Sequence, residues 1–233
     1  MNKLQLPVSM LICGKPKSGK SHTIKYLLYK FTARKDLYKR FSYGLVFCKT
    51  AFNKSYNYIP SSWVYNQFVP EALENLMKIQ KGIRANGYIP PHAFVVFDDC
   101  LGNKQFKCDL FKDLVQNYRH YNISPFISTQ YINRIETVNR ECVSHAVIFK
   151  QFSKPAIESI YNSFGQRFDS EKQFKQYLNN NTGNFNFIFV NNESLDDNIN
   201  KQYSIMKCPA HIDDPYVPYV GNIDVNNLKS DSD

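Results

Sequence analysis

An eight-residue segment near the start of the chain carries two glycines, a lysine and a serine in the pattern G-x-x-x-x-G-K-S, from Gly14 to Ser21. Val8–Cys13 before it is an apolar run of strand length, and apolar residues after it recur at amphipathic-helix spacing over residues 20–33. Glycines between a strand and a helix let successive backbone N–H groups face one anion, and the helix N-terminus adds partial positive charge. The segment is therefore predicted to bind the phosphates of a nucleoside triphosphate.

Two side chains of this segment have predicted chemical roles. The Lys20 ammonium is expected to bridge the β- and γ-phosphates, and the Ser21 hydroxyl to ligate Mg²⁺. ATP and Mg²⁺ are the cofactors that the pattern implies. The predicted binding residues are consecutive: Gly14, Lys15, Pro16, Lys17, Ser18, Gly19, Lys20, Ser21 and His22.

Two carboxylates follow a second apolar strand. Ala93–Phe97 leads directly into Asp98 and Asp99. Because a parallel sheet presents the carboxyl ends of its strands at one edge, these acids are predicted to lie beside the phosphate-binding segment. Asp98 is predicted to hold Mg²⁺ through a water, and Asp99 to polarise the water that attacks the γ-phosphate.

Strands and helices alternate through the first two thirds of the chain, which indicates an α/β domain around a parallel sheet. Apolar runs predict five strands, at 8–13, 44–48, 93–97, 125–129 and 145–149. Apolar periodicity predicts helices near 20–33, 70–84, 110–118, 155–163 and 168–179. Two further strands, at 185–190 and 202–206, are predicted to extend the same sheet.

Length and composition fit one large domain with an ample core. The chain has 233 residues, of which 43% are hydrophobic and 21% charged. The 16 tyrosines and 18 phenylalanines are expected mostly in the core, and the 6 cysteines have no zinc-site spacing, so they are expected as reduced thiols. No apolar run reaches membrane-spanning length, and no signal-peptide pattern starts the chain. Neither a membrane association nor export is expected.

Charge is distributed unevenly along the chain. The formal net charge is +9, yet residues 209–233 carry five aspartates against Lys229, a net of −4 that leaves +13 on residues 1–208. A basic body indicates a polyanionic partner, although a solvated surface explains the same charge. We therefore predict an ATPase domain over 1–208 and an acidic, extended or disordered tail over 209–233.

Together the motifs resemble the FtsK–HerA superfamily of DNA-pumping ATPases. The resemblance covers roughly residues 7–150 and rests on the order of Gly14–Ser21, Phe94–Asp99, Arg119 and Ser128–Gln130. The compact chain is similar to the genome-packaging ATPases of poxvirus-like large DNA viruses and of virophages. The fold is accordingly predicted to be a RecA-like P-loop fold of strand order 5-1-4-3-2, counting the five strands along the chain, with extra C-terminal strands.

Two further residues receive roles from this resemblance. Gln130 ends the fourth predicted strand, where the family has a sensor of the γ-phosphate; a helix-capping glutamine is the alternative. Arg119 stands eleven positions before Gln130, where the family has its arginine-finger candidate. Arg134 and Arg140 compete for that role, and a structural ion pair explains any of the three equally well. Asp99 departs from many relatives, which carry the longer glutamate.

The resemblance also implies partners. The family forms hexameric or pentameric rings, binds ATP at subunit junctions and threads double-stranded DNA through the central channel. A homo-oligomeric ring on double-stranded DNA is therefore expected, with a capsid or portal protein as a further partner. The expected location is the host cytoplasm, in a viral factory, or the virion.

Two other functions remain open from the sequence. A small P-loop kinase for a nucleotide or metabolite has the same phosphate-binding segment, but it needs an arginine-rich lid, and residues 100–150 offer only widely spaced arginines. A non-catalytic, ATP-gated scaffold has no use for the water-activating acid Asp99. Hydrolysis of ATP coupled to DNA translocation, most simply for genome packaging into a capsid, is the preferred prediction.

Overall fold

The computed structural model describes residues 4–33, 39–196 and 198–212. Over these residues the centre of the fold is a sheet whose strands are β1 (Met10–Cys13), β2 (Tyr43–Cys48), β3 (Val64–Tyr65), β4 (Ala93–Asp98), β5 (Ile123–Thr129), β6 (His145–Ile148), β7 (Phe187–Asn191) and β8 (Tyr203–Met206). The helices are α1 (Lys20–Thr32), α2 (Pro70–Ala85), α3 (Asn103–Phe106), α4 (Asp109–Tyr121), α5 (Thr137–Glu141), α6 (Lys154–Phe164), α7 (Glu171–Asn181) and α8 (Ile199–Gln202). The larger part of the predicted tail, residues 213–233, lies outside the described residues.

The sheet is mainly parallel, with the order β3-β2-β4-β5-β1-β6-β7-β8. Its five central strands are the five that the sequence predicts, in the predicted order, and the predicted α/β class with a mainly parallel sheet is confirmed. The structure adds the two-residue strand β3 beside β2. The C-terminal strands β7 and β8 join the other edge in antiparallel orientation, as an extension of the same sheet.

Helices cover both faces of the sheet, so the central strands are buried throughout. In β4, for example, Phe94 and Val96 pack towards α1, whereas Val95 and Phe97 pack on the opposite face against α2 and α4. Burial on both faces explains why these strands are continuous apolar runs rather than alternating ones. No helix of the described residues combines the length and the apolar character needed to cross a membrane.

Several element boundaries differ from the predicted ones by one to three residues, and two of these differences involve Pro125 and Arg119. Strand β5 begins at Ile123, two residues before the predicted start at 125. Pro125 therefore lies inside a central strand, where proline is unusual. Helix α4 was predicted to end at 118 but continues to Tyr121 and stops at Asn122, which adopts a left-handed φ of 55°. Arg119 therefore lies in the last turn of α4 rather than after it.

Candidate nucleotide-binding site

The loop between β1 and α1 is shaped by backbone conformations that favour glycine. Gly19 has a φ of 109°, and Lys17 also lies in the left-handed region with a φ of 61°. At Gly14 the constraint is space, since a Cβ there would lie 2.4 Å from Ser18 Oγ and 2.9 Å from Phe149 Cβ. The glycines of the motif thus permit a loop folded tightly over the end of β1.

The N-terminus of α1 is open to an anion. Gly19 caps the helix without a side-chain hydrogen bond, and the first turn contains no acidic residue. The first backbone N–H groups of a helix have no intrahelical acceptor, and the helix dipole places partial positive charge there. Phosphate oxygens are acceptors of the charge and size that this loop can bind.

Lys20 lies at the centre of the site. Its side chain is only 6% exposed, and its Nζ is 3.0 Å from the Gly14 carbonyl oxygen and 3.2 Å from that of Lys15. The same Nζ is 3.1 Å from Asp99 Oδ2. Because a buried ammonium needs several acceptors, these contacts fix its position beneath the loop.

Asp98 ends β4 and is buried beside the first turn of α1. Its Oδ2 accepts hydrogen bonds from Ser21 Oγ at 2.8 Å and from the Tyr56 hydroxyl at 2.8 Å. Serine and carboxylate oxygens are the hard ligands that Mg²⁺ prefers, and their contact fits a magnesium ion at this position. The structure thus brings the two predicted metal ligands together.

Tyr56 is a residue of the site that the sequence analysis does not identify. It lies in the segment between β2 and β3, is 3% exposed, and contacts Asp98 across 42 positions of the sequence. Burial, and then the neighbouring Asp98 carboxylate, raise the pKa of Tyr56 well above its usual value, so the phenol remains a donor. Its hydroxyl therefore holds Asp98 in one orientation.

Asp99 and Gln130 meet at the same edge of the sheet. Asp99 has a left-handed φ of 47°, its backbone N–H donates to the Ser128 carbonyl at 3.3 Å, and its Oδ2 accepts from Gln130 Nε2 at 3.2 Å. Lys20 contacts the same oxygen. Of the predicted catalytic residues, Asp99 is therefore in direct contact with both Lys20 and Gln130.

The remaining predicted binding residues form the outer surface of the loop. Lys15, Pro16 and Lys17 are exposed, and Lys15 Nζ lies 4.1 Å from the ring centre of Phe152. His22 is exposed, with Nε2 2.7 Å from the Pro209 carbonyl oxygen. These residues surround the site without entering the cluster of Lys20 and the acids.

Arg119 lies far from this cluster within one chain. It precedes the amino end of β5, whereas Gln130 follows the carboxyl end, so the strand separates them by about 20 Å at roughly 3.3 Å per residue. Its guanidinium is exposed and forms an ion pair with Glu193. Arg119 therefore cannot reach the phosphate site of its own chain.

The two alternative arginines differ in accessibility. Arg134 is exposed, in a short 3-10 helix after β5, and packs over the Tyr131 ring at 4.1 Å. Arg140 is only 7% exposed and donates to the Ser159 carbonyl at 2.7 Å, and burial lowers the pKa of its guanidinium. Of the two, only Arg134 can contact another subunit without rearrangement.

Comparison with known sequences identifies the family. The sequence profile of the poxvirus A32 protein family matches residues 2–179. The chain belongs to this family. It is 26% identical over 192 residues to the uncharacterized protein 075L of Invertebrate iridescent virus 6, spanning 80% of this chain and 71% of that protein. It is 25% identical over 209 residues to the uncharacterized protein 015R of Frog virus 3, of which it spans 61%.

Solved structures share the fold of this A32-family chain. The genome packaging NTPase B204 of Sulfolobus turreted icosahedral virus 2, in complex with ATP-gammaS, has a TM-score of 0.60 at 15% identity, over 86% of this chain and 96% of B204. ATPases 2 and 3 of EssC from Geobacillus thermodenitrificans have a TM-score of 0.54 at 13% identity, over 79% of this chain and 37% of EssC. The predicted resemblance to the packaging ATPases of large DNA viruses is confirmed.

Proposed function

We propose that this A32-family protein hydrolyses ATP and couples the hydrolysis to translocation of double-stranded DNA during packaging of a viral genome. The observation that carries the proposal is the contact cluster at the carboxyl edge of the sheet. There Lys20 contacts Asp99, Asp99 contacts Gln130, and Asp98 accepts a hydrogen bond from Ser21 in the first turn of α1. The family membership and the fold shared with a genome packaging NTPase support the same function.

Each residue of the site has a separate role in phosphoryl transfer. The loop amides and the Lys20 ammonium hold the β- and γ-phosphates, while Ser21 and Asp98 would hold Mg²⁺. When bound, Mg²⁺ neutralises negative charge that develops on the phosphate oxygens. Asp99 accepts a proton from the attacking water and orients it in line with the γ-phosphate. Gln130 donates a hydrogen bond to Asp99 and directly follows β5, so it would transmit the presence or absence of the γ-phosphate to that strand and the rest of the domain.

The proposed partners are double-stranded DNA, further copies of the chain in a hexameric or pentameric ring, and a capsid or portal protein. The charge of +13 on residues 1–208 favours contact with a phosphate backbone. The ring requirement rests on Arg119, which lies too far from its own phosphate loop to act there. Such a ring would work in the host cytoplasm, in a viral factory, or on the virion.

The proposed function is tested by measuring phosphate release with water as the only acceptor, with and without double-stranded DNA, together with native mass. We expect Mg²⁺-dependent ATP hydrolysis that DNA stimulates and a mass of five or six chains. Phosphate transfer only to an added nucleotide or metabolite would instead identify a kinase. ATP binding without any turnover, even with DNA, would identify a scaffold.

Binding to DNA is expected to depend strongly on salt and little on sequence. Each phosphate that the basic body neutralises contributes a slope of about −0.9 to a plot of log affinity against log salt concentration. Fluorescence anisotropy with two duplexes of unrelated sequence, measured at increasing NaCl, checks both properties. A large preference for one duplex, or affinity that salt leaves unchanged, would argue against translocation along the backbone.

Replacement Tyr56→Phe is expected to lower the apparent affinity for Mg²⁺ in ATP hydrolysis by about tenfold. The change removes a single hydroxyl from a buried carboxylate, and hydrogen bonds to charged groups contribute about 1.5–3 kcal/mol. The measurement is the rate of hydrolysis against Mg²⁺ concentration at saturating ATP. Tyr65→Phe in β3 is the control and should retain the wild-type Mg²⁺ curve. Identical Mg²⁺ curves for Tyr56→Phe and wild type would show that Tyr56 does not position Asp98.

A further inference from the structure

The turn that precedes β7 holds an aromatic residue in an unfavourable conformation. Asn184 and Phe185 have φ values of 49° and 65°, and the Asn186 N–H donates to the Gly183 carbonyl at 2.8 Å. Two successive positive φ angles closed by this hydrogen bond are the pattern of a type I′ turn. Its second central position favours glycine, because an L side chain is strained there. In this chain the position is occupied by phenylalanine.

The strain at Phe185 is not compensated by burial. Its side chain is 61% exposed, whereas Phe187, two residues later, is 1% exposed and packs in the core. An exposed aromatic ring in a strained conformation contributes little to the free energy of folding. A role in binding explains why the ring is presented to solvent at this position.

The ring of Phe185 lies beside the phosphate loop. Phe185 Cδ1 is 3.6 Å from the position that a Cβ on Gly19 would occupy, at the start of α1. In the sheet, β1 and β6 lie between β7 and the strands β4 and β5, whose carboxyl ends hold Asp98, Asp99 and Gln130. Phe185 is therefore on the opposite side of the loop from the acids.

This placement leaves Phe185 on the side of the loop that is free for the nucleoside of a bound nucleotide. A nucleotide whose terminal phosphate faces the acids would extend from the loop on the side away from them, towards β6 and β7. On that side the segment after β8 contacts the first turn of α1, through His22 with Pro209 and through Cys208 with Thr23. Phe185 and this segment lie on either side of the space next to the loop.

We propose that Phe185 is a stacking platform for the base of the bound nucleoside triphosphate. The flat face of an aromatic ring attracts a purine by stacking, and an exposed ring needs no rearrangement to receive it. The proposal rests on the proposed binding of ATP and adds the residue that recognises the base. In this proposal the loop binds the phosphates and Phe185 binds the nucleoside.

The test compares ATP with inorganic tripolyphosphate, both with Mg²⁺, by calorimetry on wild type and on Phe185→Gly. Glycine suits the turn, so the variant should unfold at the same temperature as wild type or higher. Loss of stacking should weaken ATP binding by about tenfold or more and leave tripolyphosphate binding unchanged. Phe185→Trp retains a stacking face. It should therefore restore most of the ATP affinity that Phe185→Gly loses.

Phe152→Gly is the matched control, since Phe152 is also an exposed aromatic beside the loop, at 65% exposure. It should leave the preference for ATP over tripolyphosphate intact. Equal ATP affinity in Phe185→Gly and wild type, or a loss of preference in Phe152→Gly alone, would overturn the assignment while ATP binding itself stands. Failure of wild type to bind either compound would instead overturn the proposed function and, with it, this proposal.

Discussion

Replacement Lys20→Ala is expected to abolish ATP hydrolysis and to weaken ATP binding severely. Lys20 Nζ is held by two loop carbonyls at 3.0 and 3.2 Å, at the position where the β- and γ-phosphates would lie. Alanine removes the ammonium that meets their charge both before and during the reaction. The rate should fall by about 10³-fold or more, together with a large rise in the dissociation constant for ATP. Steady-state kinetics and calorimetry measure the two effects separately.

Replacement Asp99→Asn should separate chemistry from binding. Asparagine has the same shape and tolerates the left-handed backbone of Asp99, whose φ is 47°, so the turn after β4 is expected to persist. The amide cannot accept the water proton, and removal of a general base costs about 10²–10⁴ in rate. ATP and Mg²⁺ should still bind, since Asp98 and the loop are unchanged.

The contrast between these two variants tests the assignment of roles. Lys78→Ala is a control for Lys20→Ala, because Lys78 is exposed on α2 and pairs with Glu74 across one helical turn. It should leave both binding and turnover at wild-type values. An equal loss of ATP affinity in Lys20→Ala and Asp99→Asn would mean that Asp99 acts on the nucleotide rather than on water.

The parts of this site that could be predicted are those carried by local pattern. Gly14–Ser21 and the strand that ends in Asp98 combine a periodicity with a chemical motif, and the two meet because parallel strands share one carboxyl edge. The family resemblance added the strand order and Gln130. The motif and the strand depend on residues close together in sequence, and their meeting depends on a rule of sheet topology.

The parts that could not be predicted depend on long-range packing. Tyr56 reaches Asp98 only because the irregular segment after β2 folds back over β4, and no periodicity marks that path. Among so many aromatic residues, neither Tyr56 nor Phe185 was distinguishable from core. The burial of Arg140 likewise follows from α5 packing against α6, where its guanidinium bonds to Ser159. Sequence alone therefore left Arg134 and Arg140 as competitors of Arg119 for the role of the finger.

Replacement Arg119→Ala is expected to reduce hydrolysis by about 10³–10⁵-fold in assembled rings, the effect of arginine fingers in other NTPases. About 20 Å of β5 separates Arg119 from the site of its own chain, so any action on the γ-phosphate must be on that of a neighbour. Total activity should therefore rise more than linearly with protein concentration as rings assemble. Monomer alone should hydrolyse ATP poorly.

Loss of folding cannot account for such a decrease. The Arg119–Glu193 pair is exposed, with 61% and 45% of the two side chains accessible, and surface ion pairs contribute about 0–1 kcal/mol. Glu193→Gln disturbs the same pair and leaves the arginine, so it should unfold like Arg119→Ala but retain turnover. Thermal unfolding and steady-state rates of the two variants distinguish a structural ion pair from a catalytic arginine.

Mixing two inactive variants tests whether Arg119 acts between subunits. Arg119→Ala subunits retain a nucleotide site, and Lys20→Ala subunits retain the arginine, so a junction that combines them has one intact site served by one intact finger. We expect part of the activity to return when both are mixed at ring-forming concentration, and more of it as the Lys20→Ala fraction rises from zero to about one half. A mixture that co-assembles by native mass and stays inactive would exclude Arg119 as the finger. Arg134 is then the next residue to test, because it is exposed and follows the strand that ends at the phosphate site, whereas the buried Arg140 is already bonded within its own chain.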